Sequence, residues 1–134
     1  MSATATVTAC SGGLIGYILR GEIFDCYATG NVSAAATASS SPYDVISASV
    51  GGLIGMNYGG YSTVTNSYKY SAQIFTRRTG SATYATPNNV EGSACAIADL
   101  NNISFFISTL DWDSDIWDFS DLDFLAGKMP VLKI

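Results

Sequence analysis

The chain has no histidine among its 134 residues. That absence removes the Ser-His-Asp and Cys-His mechanisms and the HExxH zinc site. Cysteine is scarce and odd in number: Cys10, Cys26 and Cys95. An odd count excludes a complete internal disulfide framework. With no CxxC spacing and no histidine, a structural zinc site has no ligand set. The cysteines are expected to be small buried hydrophobes. Charge is sparse too, at 13% of residues with a net charge of −5. An acidic chain repels phosphate backbones, so nucleic acid is not an expected partner. The one basic pair, Arg77-Arg78, precedes Thr79-Gly80 and reads as a solvated turn. No apolar run is long enough to span a bilayer as a helix. There is no GxxxxGK(S/T) loop and no GxGxxG opening a βαβ unit. The amino terminus, MSATATVTACSGG, lacks a basic stretch followed by an apolar one and does not read as a signal peptide. It enters strand-like alternation at once, which suggests that Met1 heads a piece of a longer protein.

What is present is apolar and small. The hydrophobic fraction is 48%, with 13 glycines and many Ala, Ser and Thr. β-Branched and aromatic residues fit a pleated, half-buried surface, so strands joined by tight turns are expected. There is too much apolar material and too little charge for disorder. The length suits one domain, residues 1–134.

The chain also repeats. SGGLIGY begins at Ser11 and VGGLIGM at Val50. The likeness continues after a slip of two residues, because NYGGYS (Asn57 to Ser62) is longer than ILRG (Ile18 to Gly21). Ile23 then matches Val64, Asp25 matches Asn66, Cys26 matches Ser67 and Tyr27 matches Tyr68. Gly12-Gly13 and Gly51-Gly52 are expected to supply a positive φ or a close chain approach. Leu14-Ile15 and Leu53-Ile54 read as a short strand that Gly16 and Gly55 end. Small Cys26 or Ser67 beside large Tyr27 or Tyr68 fits alternate faces of a second strand. Such a unit cannot bury its apolar face alone, so stacking of neighbours is expected. The intervening segment from Ala34 to Ser47 reads as a linker with a turn at Ser41-Pro42. It is long enough for another edge of the stack or for an excursion.

These residues resemble the GLUG-motif family, whose pattern is GGL(I/V)G, a turn, and then I-x-N-S-Y-A-T-G-x-V. The first unit, GGLIG…EIFDCYATGNV, replaces Asn-Ser with Asp25-Cys26; the second, GGLIG…TVTNSYKYSAQI, keeps Asn66-Ser67-Tyr68 and loses ATG. The tail, with ADLNNISFF, LDWDSDIWDF and GKMPVLKI, is similar to endings found with these repeats. The resemblance implies an all-β fold: a right-handed β-solenoid or β-helix of repeats over residues 1–92, with motifs at 12–32 and 51–74. Residues 93–134 would add a short helix and an aromatic C-terminal cap. It also implies a bacterial secreted or cell-surface setting, as in adhesin-like proteins and the N-terminal regions of immunoglobulin A metalloproteases. It implies no catalytic residues.

The tail concentrates acid and aromatics in DWDSDIWDFSDLD (Asp111 to Asp123). Asp111, Asp113 and Asp115 alternate as at the start of an EF-hand loop, but the sixth and twelfth positions hold Ile116 and Leu122 instead of Gly and Glu. An irregular calcium site at these three residues stays open. Paired carboxylates for glycoside hydrolysis need a defined separation across a cleft, whereas aspartate at every second residue reads better as a solvated strand face. The favoured reading is a capping core of Trp112, Ile116, Trp117, Phe119, Leu122, Phe124 and Leu125, closing the open end of the stack. Just before it, SACAIADLNNISFF reads as a helix with Ser93 as N-cap. Ile97, Leu100 and Ile103 would share a face, with Asn101-Asn102 near the end.

Two functions follow as expectations. One is a non-catalytic structural or adhesive module contacting an extracellular protein or glycan. Tyr17, Tyr58 and Tyr61 are the leading contact residues, with Tyr70 and Tyr84 also in or near loops. The other is an accessory or substrate-binding domain of a secreted metalloprotease or other hydrolase. Neither requires a cofactor, and neighbouring repeats or domains of a larger chain are expected partners.

Overall fold

A computed structural model describes residues 6–37 and 44–134. They are mostly β. A first round of chain carries β1 (Thr6–Gly12), β2 (Ile15–Ile18), β3 (Gly21–Phe24), β4 (Tyr27–Ala28) and β5 (Val32–Ala36). A second carries β6 (Val45–Gly51), β7 (Ile54–Asn57), β8 (Ser62–Thr65), β9 (Tyr68–Tyr70) and β10 (Phe75–Thr79). Each strand of the first round pairs in parallel with its counterpart in the second. Repeat equivalents therefore stack: Gly12 on Gly51, Ile15 on Ile54, Ile23 on Val64 and Tyr27 on Tyr68. The separation between bonded residues is 39 at Thr8 and Ser47, then 41 at Asp25 and Asn66, then 43 at Asn31 and Ile74. The first slip is the one visible in ILRG and NYGGYS. The second lets Val32 face Phe75.

The segment from Ala34 to Ser47 is only partly a linker. β5 claims its start and β6 its end, so it supplies a further paired edge to each round. The expected turn at Ser41-Pro42 lies outside the described residues.

The glycines of GGLIG work by closeness. None of Gly12, Gly13, Gly51 and Gly52 has a positive φ. At Gly55 a Cβ would lie 2.5 Å from the Gly16 carbonyl oxygen and 2.7 Å from the backbone N and O of Ser11. Gly16 and Gly55 do not end a strand; they are second in β2 and β7, and Leu14 and Leu53 form the bend before them. The Leu53 carbonyl accepts from the N–H of both Leu14 and Ile15, which ties the two bends together.

The next corner uses the left-handed region at equivalent places, Asp25 (φ 53°) and Asn66 (φ 46°). Asp and Asn tolerate this conformation better than other side chains. Asn66 Nδ2 donates to Asp25 Oδ1 at 2.6 Å, joining the two corners. Cys26 Sγ then donates to the Phe24 carbonyl and Ser67 Oγ to the Thr65 carbonyl, the same bond in both rounds. That shared bond is why Cys can stand where the second unit has Ser. After the corner the faces alternate. Ala28 joins an apolar cluster with Ile23, Leu53 and Ile54, while Tyr27 and Tyr68 join a different one.

Beyond the second round the chain crosses its edge again. Arg77-Arg78, expected in a turn, lies in β10, which forms an antiparallel hairpin with β11 (Ala82–Tyr84) around Gly80 (φ 60°). Asn88 Oδ1 accepts from the Val50 N–H at 2.6 Å, Asn89 bridges Gly51, and β12 (Ser93–Cys95) pairs with β9. Lys69 stands opposite Ala28 in the ladder. Its ammonium donates to the carbonyls of Val90 and Glu91. Burial lowers its pKa, opposed by the nearby Glu91 carboxylate.

Ser93 is a strand residue and not an N-cap. The helix, α1, runs only over Ile97–Leu100, with Ala96 at its N-cap and Asn101 at its C-cap. Leu100 is buried and Ile103 is exposed. A π-helical turn at Phe105–Thr109 follows. DWDSDI runs into a turn at residues 114–116 and is not a strand face; the pairings nearby are β13 (Trp117–Asp118) with β14 (Val131–Leu132) and the bridge of Asp123 with Lys128. The core here is Cys95, Leu100, Phe105, Phe106, Leu110 and Phe119, with Trp112, Trp117, Leu122 and Phe124 packed on it. Ile116 and Leu125 are exposed and take no part in it.

This core does not sit on the open end of the stack. It lies against the tyrosines of both rounds. Tyr27 meets Phe106 and Trp112, each at 5.5 Å between ring centroids, and Tyr68 meets Phe105 at 5.1 Å. Trp112 Nε1 also donates to the Asp25 carbonyl at 2.8 Å. The tail buttresses one side of the ladder because its aromatic surface is there. A tyrosine every round makes an apolar stripe across the sheet, and burying it favours packing on that face.

Candidate functional site

The loops ILRG and NYGGYS occupy equivalent corners, and the expected contact tyrosines lie there, Tyr17 at the end of β2 and Tyr58 and Tyr61 in the second loop. In the second loop Tyr58–Gly60 forms a 3₁₀ turn, with Gly59 and Gly60 at positive φ. Asn57 closes it, donating from Nδ2 to the Ser62 carbonyl at 3.0 Å and accepting from the Ser62 N–H. Tyr17 from the first round and Tyr58 from the second have ring centroids 5.9 Å apart. Arg20 lies over the Tyr61 ring at 5.5 Å. Tyr17, Tyr58 and Tyr61 are 49%, 55% and 66% exposed, and Leu19 beside them is exposed as well. Large, stiff, amphipathic rings held by short loops make contact area at low entropic cost. Arg20 is the member that the motif reading passed over. Its signal was positional, since it lies in the loop whose length differs between the units.

The other tyrosines have different roles. Tyr70 packs on Phe124 at 4.9 Å and belongs to the tail core. Tyr84 lies under Arg77 at 4.3 Å, on the far hairpin. Asp111, Asp113 and Asp115 are exposed but do not converge. Among the described residues no three acidic or cysteine side chains gather as a metal site. The carboxylate of Asp113 accepts from the Asp115 N–H at 2.7 Å and its carbonyl accepts from Ile116 and Trp117, so it holds a turn. The calcium expectation thus lacks a geometric basis, because the alternation spreads round a turn.

All three cysteines are free thiols; Cys95 is buried, while Cys10 and Cys26 are only half-buried. Burial raises all three thiol pKa values, and at Cys95, with Asp99 adding to it, the thiol is pushed up to about 11. A reactive thiolate is therefore disfavoured. Between about pH 9 and 11 the unfolded chain releases a proton that folded Cys95 keeps, so stability falls as pH rises through that window, by about 2 kcal/mol. Urea unfolding at pH 8 and pH 11 should show that loss in the wild type. Cys95→Ala should lose less by the same amount. An equal loss in both would show that Cys95 is not its source, because Tyr27, also raised by burial, is common to both.

Residues 7–33 match the family model described as the GLUG motif. A comparison with curated proteins and one with solved structures gave no significant match. The matched residues span the first GGLIG, the Asp25-Cys26-Tyr27 corner and the start of β5. They are the parts that set the close approach, the left-handed corner and the tyrosine stripe. The chain carries the GLUG motif, and the motif is its first round of strands.

Proposed function

We propose that this chain is a non-catalytic structural and adhesive module of a bacterial surface or secreted protein. In this reading residues 6–92 are a short right-handed β-solenoid, buttressed by residues 93–134, within one domain. Parallel, in-register pairing of equivalent residues supports the solenoid reading. The contact surface is the corner of Tyr17, Tyr58, Tyr61 and Arg20, facing an extracellular protein or glycan. The observation that carries it is that β2 of the first round and the NYGGYS loop of the second place three exposed tyrosines on one corner, two of them in ring contact.

The test is an array of host matrix proteins and mucin-type glycans. It compares the wild type with the triple variant Tyr17→Ala, Tyr58→Ala, Tyr61→Ala. The variant should lose binding at least ~100-fold, as expected for truncating a cluster of hot-spot residues. Because the three side chains are exposed, its unfolding free energy should change by about 1 kcal/mol or less. Binding retained in the variant would move the surface elsewhere. No binding by the wild type would overturn the adhesive reading.

A further inference from the structure

The third pass of the chain along the ladder is a short cut. Asn89 bridges Gly51 and Ser93 pairs with Tyr68, so residues 90–92 take the place that residues 52–67 hold in the second round. The short cut covers the second GGLIG. A Cβ on Gly92 would lie 2.3 Å from Leu53 Cδ1, and Leu53 and Ile54 are 0% exposed. In the first GGLIG, identical in sequence, Leu14 is 43% exposed. So short a segment cannot fill the space of a full round, and a cleft of about 170 Å³ remains beside it. Tyr70 and Phe75 of the second round line this cleft, with Pro87 and Val90 of the crossing, Gly52 and Gln73. Two rings and two aliphatic side chains favour an apolar occupant.

Gln73 is the polar member, and it is 8% exposed. Its Nε2 donates to the carbonyls of Gly30 at 2.8 Å and Gly52 at 3.3 Å, which fixes the orientation of the amide. Its Oε1 is buried and has no hydrogen-bond partner among the described residues. A buried acceptor left unmade costs free energy that a donor would recover. A Cβ on Gly52 would come within 2.7 Å of this oxygen and within 2.6 Å of Lys69 Cδ. Its neighbours on that side are therefore a residue with no side chain and a flexible stem. The charges nearby are already served. The Lys69 ammonium donates to the carbonyls of Val90 and Glu91. The Glu91 carboxylate accepts from Asn57 Nδ2 at 2.8 Å and from Asn89 Nδ2 at 3.3 Å. A cation or an anion entering here would meet one like charge and no free unlike one.

We propose that this cleft binds a small uncharged aromatic molecule carrying one hydrogen-bond donor, in the simplest case a phenol. The ring packs on Tyr70 and Phe75. The hydroxyl moves the Lys69 stem aside and donates to Gln73 Oε1.

Titration of the whole isotope-labelled chain with phenol, toluene and benzoate, followed by amide shifts, tests this. Phenol should move the amides of Gly52, Gln73 and Ala94 with a dissociation constant of about 1 mM or tighter. Toluene has the ring without the donor and should bind ~10-fold more weakly. Benzoate, which brings a charge, should bind more weakly than phenol as well. Ala94 lines the cleft from β12 and is exposed. Ala94→Phe should therefore fill the cleft and weaken phenol by at least ~10-fold, with the melting temperature unchanged. No shift at these amides with phenol up to ~10 mM would overturn the proposal. So would phenol binding that Ala94→Phe leaves intact. Toluene binding as tightly as phenol would overturn it too, since water would then be serving Gln73. Tyr17, Tyr58 and Tyr61 are unchanged throughout, so the outcome is separate from that of the binding array.

Discussion

Phe106→Ala should cost about 4 kcal/mol of unfolding free energy, the largest single-residue loss expected in the tail core. Phe106 is fully buried. Its ring lies 5.5 Å from Tyr27, 5.3 Å from Phe105, 5.7 Å from Trp112 and 5.6 Å from Phe119. The substitution removes both transferred apolar area and the shared packing partner of four rings. A small domain holds only about 5–15 kcal/mol in total, so the variant should be near its limit at 37 °C. Urea unfolding followed by tryptophan emission measures this directly, since Trp112 touches the ring. The repeat ladder predicts a second readout. Tyr27 belongs to the first round and would lose its cover, so amide exchange in β4 should rise. A loss below about 1 kcal/mol would mean that the tail is not a core but a loosely held flap.

Gly55→Ala should be comparably damaging, at about 3 kcal/mol, though it adds only one methyl group. The added Cβ would meet backbone atoms of Gly16 and Ser11 in the first round. Backbone in a paired strand cannot swing aside as a long side chain can, so relief requires separating the rounds. Gly30→Ala is the control. Nothing lies within 4 Å of a Cβ there, and its φ is not in the left-handed region. It should change stability by about 0.5 kcal/mol or less. Equal effects at both sites would refute the view that GGLIG is a packing motif.

Tyr27 and Tyr68 were legible as equivalents because both the spacing and the small-large alternation repeat. So was the slip of two residues at ILRG and NYGGYS, which the ladder reproduces. The slip between Ala28 and Val32 was not legible, because Thr29 to Asn31 and Tyr70 to Ile74 share no anchoring residue. Ser93 misled because serine before an apolar run signals an N-cap, yet β9 offered an edge and β12 took it. The Asp111, Asp113 and Asp115 pattern misled in a related way. Alternation implies a strand only where a partner strand exists, and here the chain turns. Of the candidate contact residues, Tyr17, Tyr58 and Tyr61 did come together, while Tyr70 was claimed by Phe124.

The sequence by itself determined the repeat, its β character and its family motif. Those depend on spacing, on residue shape and on backbone preference, all of them local. Only the tertiary structure decided which identical segment is buried and which is bare. It also decided that the aromatic tail lies along the tyrosine stripe and not over the open end. Burial belongs to a residue and its neighbours together. Two copies of GGLIG are the same string, and only their places in the stack tell them apart.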